Sequence, residues 1–203
     1  MRYKWQRMAV LGALIVIIGA PALFAQKYEI NPYAGFVWPS HTSVGQIENQ
    51  WLYGLRAGVF LDSSFELEGN VGYMNHFNLE GASIKSRAWL WEAAGNYNFS
   101  AKDWPVVRGF TPFVVIGVGA IRTDLHDVDS FRFTNPSSGR VTVLDDHNNF
   151  FNVSYGGGIK SVKLWGPLGL RADVRGRTIP NFYHSAPTWL EVTGGFNLMW
   201  GEH

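Results

Sequence analysis

The ten residues LGLRADVRGR, from Leu168 to Arg177, alternate between two kinds of side chain. Every second residue from Leu168 is apolar or glycine, whereas four of the five residues between them are charged: Arg171, Asp173, Arg175 and Arg177. Successive side chains of a β-strand point to opposite faces, so this segment predicts a strand with one apolar and one ionic face. The face that points into the protein distinguishes a soluble barrel from a membrane barrel.

A period of two recurs along the chain after residue 26, in segments of about eleven residues that end in turn-forming residues. No segment shows a helical period. The first and fifth segments are apolar on both faces, so the pattern leaves their sides unassigned. We predict eight antiparallel strands: Tyr28–Trp38, Trp51–Leu61, Phe65–Asn75, Arg87–Asn98, Phe110–Arg122, Asn149–Ser161, Leu168–Thr178 and Thr188–Trp200.

The first 25 residues have the three parts of a secretory signal peptide. Three basic residues precede the apolar stretch MAVLGALIVIIGA, and small residues follow up to Ala25. We predict cleavage after Ala25, with Ala22 as a second position, so that 1–25 is the signal peptide and 26–203 is one barrel domain. An uncleaved membrane anchor is the alternative. Cleavage would reduce the 17 basic residues to 14, against 16 acidic ones, which argues against a nucleic-acid partner because such a partner needs a basic face.

The composition excludes several kinds of chemistry. The chain has no Cys, so disulfides and thiolate reactions are excluded. Its 23 Gly, 15% aromatic residues and only 16% charged residues are an unusual mixture for a soluble enzyme. No glycine-rich phosphate loop and no zinc-type His/Glu motif is present, so we expect no cofactor and no metal.

The polar faces of the assigned strands carry five acidic and five basic residues. A solvated face needs no such balance, but a closed interior does, because an unpaired buried charge is strongly destabilising. Arginine suits a closed interior, since its planar fork can bond two carboxylates at once. An exposed face of mixed charge is the alternative. We predict an internal salt-bridge network of Arg56, Glu66, Glu68, Glu92, Lys160, Arg171, Asp173, Arg175, Arg177 and Glu191.

Tryptophans concentrate near the two ends of the predicted strands, as in the aromatic girdles found at membrane–water interfaces. Several apolar-face residues, such as Ala57, Ala93 and Gly95, are small and would underfill a soluble core. Both features favour lipid, rather than a packed core, on the apolar face. We predict an interfacial girdle of Trp38, Trp51, Trp89, Trp91, Trp104, Trp165, Trp189 and Trp200.

The connections on the side of the termini, Asp62–Ser64, Phe99–Gly109 and Val162–Pro167, are short or anchored by Pro, and the longest connection, 123–148, lies at the opposite end. Outer-membrane barrels have short periplasmic turns and longer outer loops, so we predict that both termini of the mature chain are periplasmic. A soluble lipocalin-like barrel, with an apolar interior that binds a ligand, is the alternative.

This pattern resembles the OmpA/OmpX-type family of eight-stranded outer-membrane β-barrels over essentially the whole mature chain. The stretches FELEGNVGYM, TPFVVIGVGAIR, LGLRADVRGR and WLEVTGGFNLMW carry the resemblance. The last of them is similar to the C-terminal strand signal that barrel-assembly machinery reads in this family. The resemblance implies an all-β, eight-stranded antiparallel up-and-down transmembrane barrel in a Gram-negative outer membrane, among outer-membrane lipid and lipopolysaccharide.

The interior of an eight-stranded barrel is just wide enough to be filled by side chains. We therefore expect a structural or interaction protein that is not an enzyme and has no open pore. A narrow channel is one alternative. Another is a lipid-modifying acyl hydrolase or transferase that uses His184, Ser185 and Glu191. Two features argue against this enzyme alternative. Adjacent His and Ser side chains point opposite ways in a strand, and the His-x-Ser-Asn pattern of the lipid A deacylases is absent.

The connection 123–148 is the longest and offers two kinds of contact. An exposed cluster of Phe131, Arg132 and Phe133 would bind an extracellular ligand or protein. Clustered carboxylates would bind Ca²⁺ or bridge lipopolysaccharide phosphates through divalent ions, although their spacing is not that of an EF-hand, and a solvated acidic loop is the alternative. The acidic and histidine residues are Asp124, His126, Asp127, Asp129, Asp145, Asp146 and His147.

Overall fold

A computed structural model describes residues 27–40, 42, 46–78, 86–99, 109–125, 130–134, 141–145, 147–161, 166–182 and 185–201. The predicted signal peptide 1–25 lies outside the described residues, as do Trp104, Trp165 and His184. The side chains predicted as contacts within 126–146, including His126 and Arg132, also lie outside what the structure describes. None of the described residues belongs to a helix with the length and apolarity needed to cross a membrane.

Eight strands form a closed antiparallel barrel, in which the first strand pairs with both the second and the last. Closure gives every barrel strand two hydrogen-bonded neighbours and leaves no free edge, as a backbone in hydrocarbon requires. The prediction of an eight-stranded antiparallel all-β barrel is confirmed. The barrel strands are β1 (Lys27–Pro39), β2 (Gln50–Phe60), β3 (Phe65–Met74), β4 (Ser86–Asn98), β5 (Phe110–Leu125), β8 (His147–Ser161), β9 (Leu168–Thr178) and β10 (Thr188–Gly201).

Two further strands, β6 (Ser130–Thr134) and β7 (Val141–Asp145), pair as a separate antiparallel hairpin between β5 and β8. The sequence pattern had predicted only a loop there, because five-residue strands are too short to show a clear period. Barrel pairing between β5 and β8 also continues beyond the predicted strand ends, as far as Asp124 opposite His147. The connection 123–148 is therefore partly an extension of the sheet.

Alternating burial shows which face of each strand points inward. In β9, Arg171 and Arg175 are 3% and 1% exposed, whereas Leu170 and Val174 are 38% and 50% exposed. The other barrel strands show the same inversion of the usual soluble pattern. The ionic face therefore lines the interior and the apolar face forms the outer surface, which excludes a soluble barrel with an apolar ligand cavity.

The structure also assigns the two strands that are apolar on both faces. In β1, Glu29 and Tyr33 point inward and Ala34 points outward. In β5, Phe113 is buried in the interior and Ile116 is 66% exposed. These strands show no polar alternation along much of their length because apolar residues occupy part of the interior as well as the outer face.

The barrel has two different ends. The turn end holds the N-terminal end of β1, the C-terminal end of β10 and the connections 61–64, 99–109 and 162–167. The loop end holds the connections 40–49, 75–85, 126–146 and 179–187. At the turn end, Asp62 closes the β2–β3 turn by accepting the backbone N–H groups of Ser64 and Phe65 at 2.7 and 2.8 Å.

Candidate functional site in the barrel interior

A continuous series of ion pairs fills much of the interior, and we call it the ion-pair ladder. It begins near the turn end with Glu66 and Lys160 and ends toward the loop end with Arg177 and Glu191. None of its residues is more than 6% exposed. Its members are Glu29, Arg56, Glu66, Glu68, Glu92, Lys160, Arg171, Asp173, Arg175, Arg177 and Glu191.

Arg175 lies at the centre of the ladder and contacts three carboxylates. Its Nη2 atom lies 2.8 Å from Glu68 Oε1 and 2.7 Å from Asp173 Oδ2, and its Nη1 atom lies 2.8 Å from Glu92 Oε1. Asp173 and Arg175 are two residues apart on β9, so strand geometry alone puts them on the same face. One guanidinium thereby connects strands β3, β4 and β9 across the lumen.

Two more arginines bind the same central carboxylates. Arg171 Nη1 lies 2.7 Å from Glu68 Oε2, and Arg171 Nε lies 3.0 Å from Asp173 Oδ1. Arg56 Nη1 lies 3.2 Å from Asp173 Oδ2, and the Arg56 guanidinium lies 3.8 Å from the centroid of the Tyr33 ring. Each central carboxylate therefore has more than one cationic partner, which offsets its loss of water.

Toward the loop end, Arg177 binds Glu191 through two parallel contacts, Nε to Oε1 at 2.6 Å and Nη2 to Oε2 at 3.1 Å. This two-pronged geometry is the strong form of an arginine–carboxylate pair. Arg177 Nη1 also donates to Glu92 and to Asn152. Arg177 thus links β4, β8, β9 and β10.

Toward the turn end, Lys160 binds two carboxylates, Glu66 Oε2 at 2.6 Å and Glu29 Oε2 at 2.9 Å. Glu29 also accepts from Arg171, at 3.0 Å, and was not among the predicted residues because β1 could not be assigned a face. The signal was present in the sequence, because Lys27, Glu29 and Asn31 are spaced two residues apart and give one face of β1 a run of polar side chains. Lys27 is half-buried at the turn end, and its Nζ atom lies 4.8 Å from the ring centroid of Phe60.

The structure places all ten predicted network residues in the ladder. The five cations and five carboxylates are buried, and each contacts at least one opposite charge. Alternation along single strands was sufficient to find them, because in each case the opposite face of the strand is clearly apolar.

Between the ladder and the loop end, most of the interior side chains are apolar, and we call this apolar cluster the loop-end plug. Its side chains are all less than 7% exposed and come both from strands and from connections. Phe77 and Phe182, from two different connections, lie with ring centroids 6.3 Å apart, and Phe77 lies 5.4 Å from Trp189. The plug contains Tyr33, Val37, Ile47, Leu52, Met74, Phe77, Ala88, Leu90, Ile121, Ile179, Phe182 and Trp189.

Backbone hydrogen bonds hold the plug-forming connections in place. Glu48 N donates to Asn78 O at 3.0 Å, which ties the connection 40–49 to the connection 75–85. In the connection 179–187, the backbone N–H groups of Phe182 and Ser185 donate to each other's carbonyl oxygens at 2.9 Å. These contacts allow connecting segments to enter the mouth of the barrel without leaving those backbone groups unpaired.

Five of the predicted girdle tryptophans lie on the outer surface near the two ends of the barrel. Trp38, Trp51, Trp89 and Trp91 are exposed near the loop end, and Trp200 is exposed near the turn end, where it stacks on Tyr28 at 5.9 Å. Their exposed fractions range from 38% to 58%. Amphipathic rings at these two levels match the position of membrane interfaces.

The assignment of Trp189 to the girdle was wrong. Trp189 is 1% exposed and packs in the loop-end plug against Phe77. It is two residues from Glu191 on β10, and strand alternation therefore puts both side chains inside. A position near a strand end therefore does not by itself put a Trp on the outer face.

The contacts of the ladder hold neighbouring and opposite strands together. Both oxygens of Glu191 accept from Arg177, and Ser185 Oγ donates to Phe182 O at 2.7 Å. Within the described residues, no group of three or more His, Asp or Glu side chains is arranged to hold a metal ion.

Comparison with known proteins agrees with this architecture. The family model "Outer membrane protein beta-barrel domain" matches residues 9–194. No curated protein sequence matches the chain. Neisserial surface protein A is similar in structure with a TM-score of 0.61 and 12% identity, over 84% of this chain and 96% of that one.

Two further solved barrels share the fold. OprG from Pseudomonas aeruginosa has a TM-score of 0.57 and 10% identity, over 88% of this chain and 97% of that one. Ail of Yersinia pestis has a TM-score of 0.50 and 10% identity, over 87% of this chain and 99% of that one. The family match, together with the closed eight-stranded barrel, shows that this chain belongs to the outer membrane protein β-barrel domain family and is an outer-membrane protein of the small eight-stranded type.

Proposed function

We propose that this protein is a closed, non-catalytic barrel with a structural or interaction role, rather than a channel or an enzyme. The observation that carries this proposal is that two consecutive layers of side chains, the ion-pair ladder and the loop-end plug, occupy the interior. A solute would have to displace buried ion pairs and then a packed apolar layer. Both displacements are costly, because they leave charges unpaired or open a cavity.

The contacts near the connection 179–187 support a non-catalytic role. A Ser–His–acid site needs a carboxylate that is free to orient the histidine. Glu191 instead binds Arg177 through both oxygens inside the barrel. Incubation of the purified barrel with lipopolysaccharide, followed by mass spectrometry, should show no acyl chain gained or lost, and a change in acyl mass would establish the enzyme alternative.

The proposal includes an orientation in which the turn end is periplasmic and the loop end meets lipopolysaccharide. The longest connection, 126–146, lies at the loop end with the β6–β7 hairpin, and the shortest, 61–64, lies at the turn end, which supports this orientation. That hairpin is the segment we propose for contact with an extracellular ligand or protein. The lack of native Cys permits a direct test of orientation.

For this test, Cys is introduced at an exposed residue of each end, as Asn181→Cys at the loop end and Ser63→Cys at the turn end. A membrane-impermeant maleimide should label the Asn181→Cys protein in intact cells, and should label the Ser63→Cys protein only after permeabilisation. The reverse pattern would overturn the orientation.

The absence of an open pore is tested by planar-bilayer conductance, with a general porin as the positive control. Wild-type protein should give no stable conductance steps. The plug variant F77A/F182A should still conduct poorly, since the ladder remains. Reproducible ohmic steps from the wild type would establish the narrow-channel alternative.

A further inference from the structure

Charged side chains on the outward face of the described barrel strands occur at one place. Elsewhere this face consists of apolar, aromatic and uncharged residues. The exceptions are Arg87 on β4, Arg122 and Asp124 on β5, together with His147 on β8. We call these four residues the outward basic cluster. A lipid-facing surface tolerates charge only toward its rims, so charge confined to one rim position needs an explanation.

Pairing between three strands assembles the cluster. Arg87 lies opposite Asp124, and Asp124 lies opposite His147. Arg122 Nε and His147 Nδ1 each lie 2.8 Å from Asp124 Oδ1, and Arg87 Nε lies 3.8 Å from Asp124 Oδ2. The side chain of Asp124 is only 8% exposed, whereas those of Arg87, Arg122 and His147 are 50%, 40% and 52% exposed. The carboxylate thus fixes the positions of two guanidinium groups and one imidazole that stay accessible.

The cluster lies at the level where lipid headgroups begin. Arg122 is the direct neighbour of Trp89, one of the exposed tryptophans at the loop end, and Trp89 in turn packs on Tyr73 with ring centroids 4.7 Å apart. Such aromatic rows mark the headgroup level of a membrane. Arg87 and Asp124 are two residues nearer the loop end, roughly 7 Å along a strand.

A shallow apolar groove lies directly below the cluster. Ala120 is two residues from Arg122 on β5 and is paired with Trp91 on one side and Phe151 on the other. Trp91 and Phe151 are 41% and 57% exposed, so two large rings flank one small side chain. Val118, the next outward residue of β5, is 51% exposed and continues the apolar surface toward the barrel centre. A hydrocarbon chain fits a groove of this form.

We propose that the outward basic cluster binds a sugar-linked phosphate of lipid A, the acylated part of lipopolysaccharide, and that one of its acyl chains lies over Ala120. This proposal rests on the proposed orientation, which puts the loop end in the outer leaflet. Two guanidinium groups outnumber the single carboxylate, so the cluster is cationic whether or not His147 is protonated. Arginine suits phosphate because its fork matches the phosphate oxygens.

The number of donors favours a phosphate monoester over the diester of a glycerophospholipid. A monoester carries about −1.5 to −2 charges near neutral pH, more than a diester can carry. Arg87 and Arg122 contact Asp124 through their Nε atoms, so their Nη groups can donate to the three terminal oxygens of a monoester. The apolar groove beneath them suits a ligand that is both phosphorylated and acylated, rather than free phosphate.

The test measures binding of lipid A to the folded barrel in detergent by native mass spectrometry. Phosphatidylglycerol and inorganic phosphate are the comparison probes. The variant R87Q/R122Q removes the cationic donors, and Ala120→Phe fills the groove. Lys27→Gln removes a cation at the opposite end of the barrel and is the matched control. Heat-modifiable gel migration shows whether each variant is folded.

Wild type and K27Q should bind lipid A equally and should bind it more tightly than phosphatidylglycerol. R87Q/R122Q should bind it roughly tenfold or more weakly, the loss expected for charged hydrogen bonds. Ala120→Phe should also weaken lipid A binding. If the double variant does not fold, the Ala120→Phe protein alone tests the proposal. Equal binding by both variants and wild type, or equal affinity for phosphatidylglycerol or inorganic phosphate, would overturn the proposal. Because this assay uses purified protein, its result is independent of the labelling test of orientation.

Discussion

The two layers of the interior, the ion-pair ladder and the loop-end plug, occupy the same cylinder but obtain their stability in different ways. The ladder consists of strand residues whose faces are fixed by alternation, such as Arg171 and Arg175 on β9. The plug takes Phe77 and Phe182 from connections that enter the mouth. The ladder depends on particular partners, because an unpaired buried charge is costly. The plug depends on filled volume, because apolar packing is non-directional.

This difference determines how each layer tolerates substitution. Loss of one ladder residue leaves its partners charged and buried, so the cost extends to residues that were not changed. Loss of one plug residue leaves a cavity that neighbouring side chains can partly fill. Substitution of central ladder residues should therefore produce the largest loss of stability.

Arg175→Leu should be the most destabilising single change in the interior. It leaves Glu68, Asp173 and Glu92 without their shared guanidinium, and we expect a loss of about 3–5 kcal/mol in the free energy of unfolding. The measurement is urea-induced unfolding in detergent or lipid vesicles, with the melting temperature as a second readout. Val174→Ala, on the outward face beside it, is the control and should have a small effect. An unchanged melting temperature for the Arg175→Leu protein in detergent would contradict the role assigned to the ladder.

Phe182→Ala should cost about 3 kcal/mol, at the lower end of values for removing a buried aromatic ring. Its ring lies 4.7 Å from that of Phe150 and is 2% exposed. Phe151→Ala is the matched control, because Phe151 is 57% exposed on the outer surface and leaves no internal cavity. If both variants lose the same stability in the unfolding assay, the apolar layer does not act as a packed core.

The ladder was predictable from the sequence where the two strand faces differ clearly. Arg171, Asp173, Arg175 and Arg177 follow from alternation alone, and so does their inward orientation once lipid is assigned to the apolar face. Glu29 was missed because the opposite and neighbouring positions of β1 are mainly apolar. Strand alternation puts Glu29, two residues before Asn31, on the same face as Asn31, and this spacing alone would have identified it.

The plug was not predictable by the same reasoning. Phe77 and Phe182 lie in connections, which have no period, and their burial depends on how separate connections fold back onto the barrel. Trp189 was placed outside although its spacing from Glu191 predicts the inside. The β6–β7 hairpin was missed for a related reason. In strands of only five residues, an alternating pattern cannot be distinguished from a chance order of residues.

Within the ladder, Glu66→Gln should cost less than Glu68→Gln, although both carboxylates are buried on β3. Glu66 contacts one ladder cation, Lys160, and its Oε1 atom has no hydrogen-bond partner among the described residues. Glu68 contacts three arginines. We expect about 1.5 kcal/mol for Glu66→Gln, the value for one hydrogen bond to a charged group. Equal losses in urea unfolding would show that stability does not follow the number of cationic partners.

The smallest effect is expected at Asp62, an exposed carboxylate in the β2–β3 turn that lies outside both interior layers. Backbone N–H groups of Phe65 and Ser64 donate to it and lower its pKa below the ordinary value. Because the folded-state pKa is the lower one, the stabilising contribution is complete above the pKa of the unfolded chain, about 4, and is lost as the pH falls through the folded-state pKa. The stability difference between wild type and the Asp62→Ala protein should therefore be small and constant near neutral pH, and should shrink below about pH 4.

Asp62→Asn keeps one acceptor oxygen that does not titrate, so its difference in stability from the Asp62→Ala protein should not depend on pH. Melting temperatures of the three proteins across this range test the assignment, since titration of all other groups is common to them. A difference between wild type and the Asp62→Ala protein that grows on acidification would have the wrong sign for a carboxylate held by turn N–H groups.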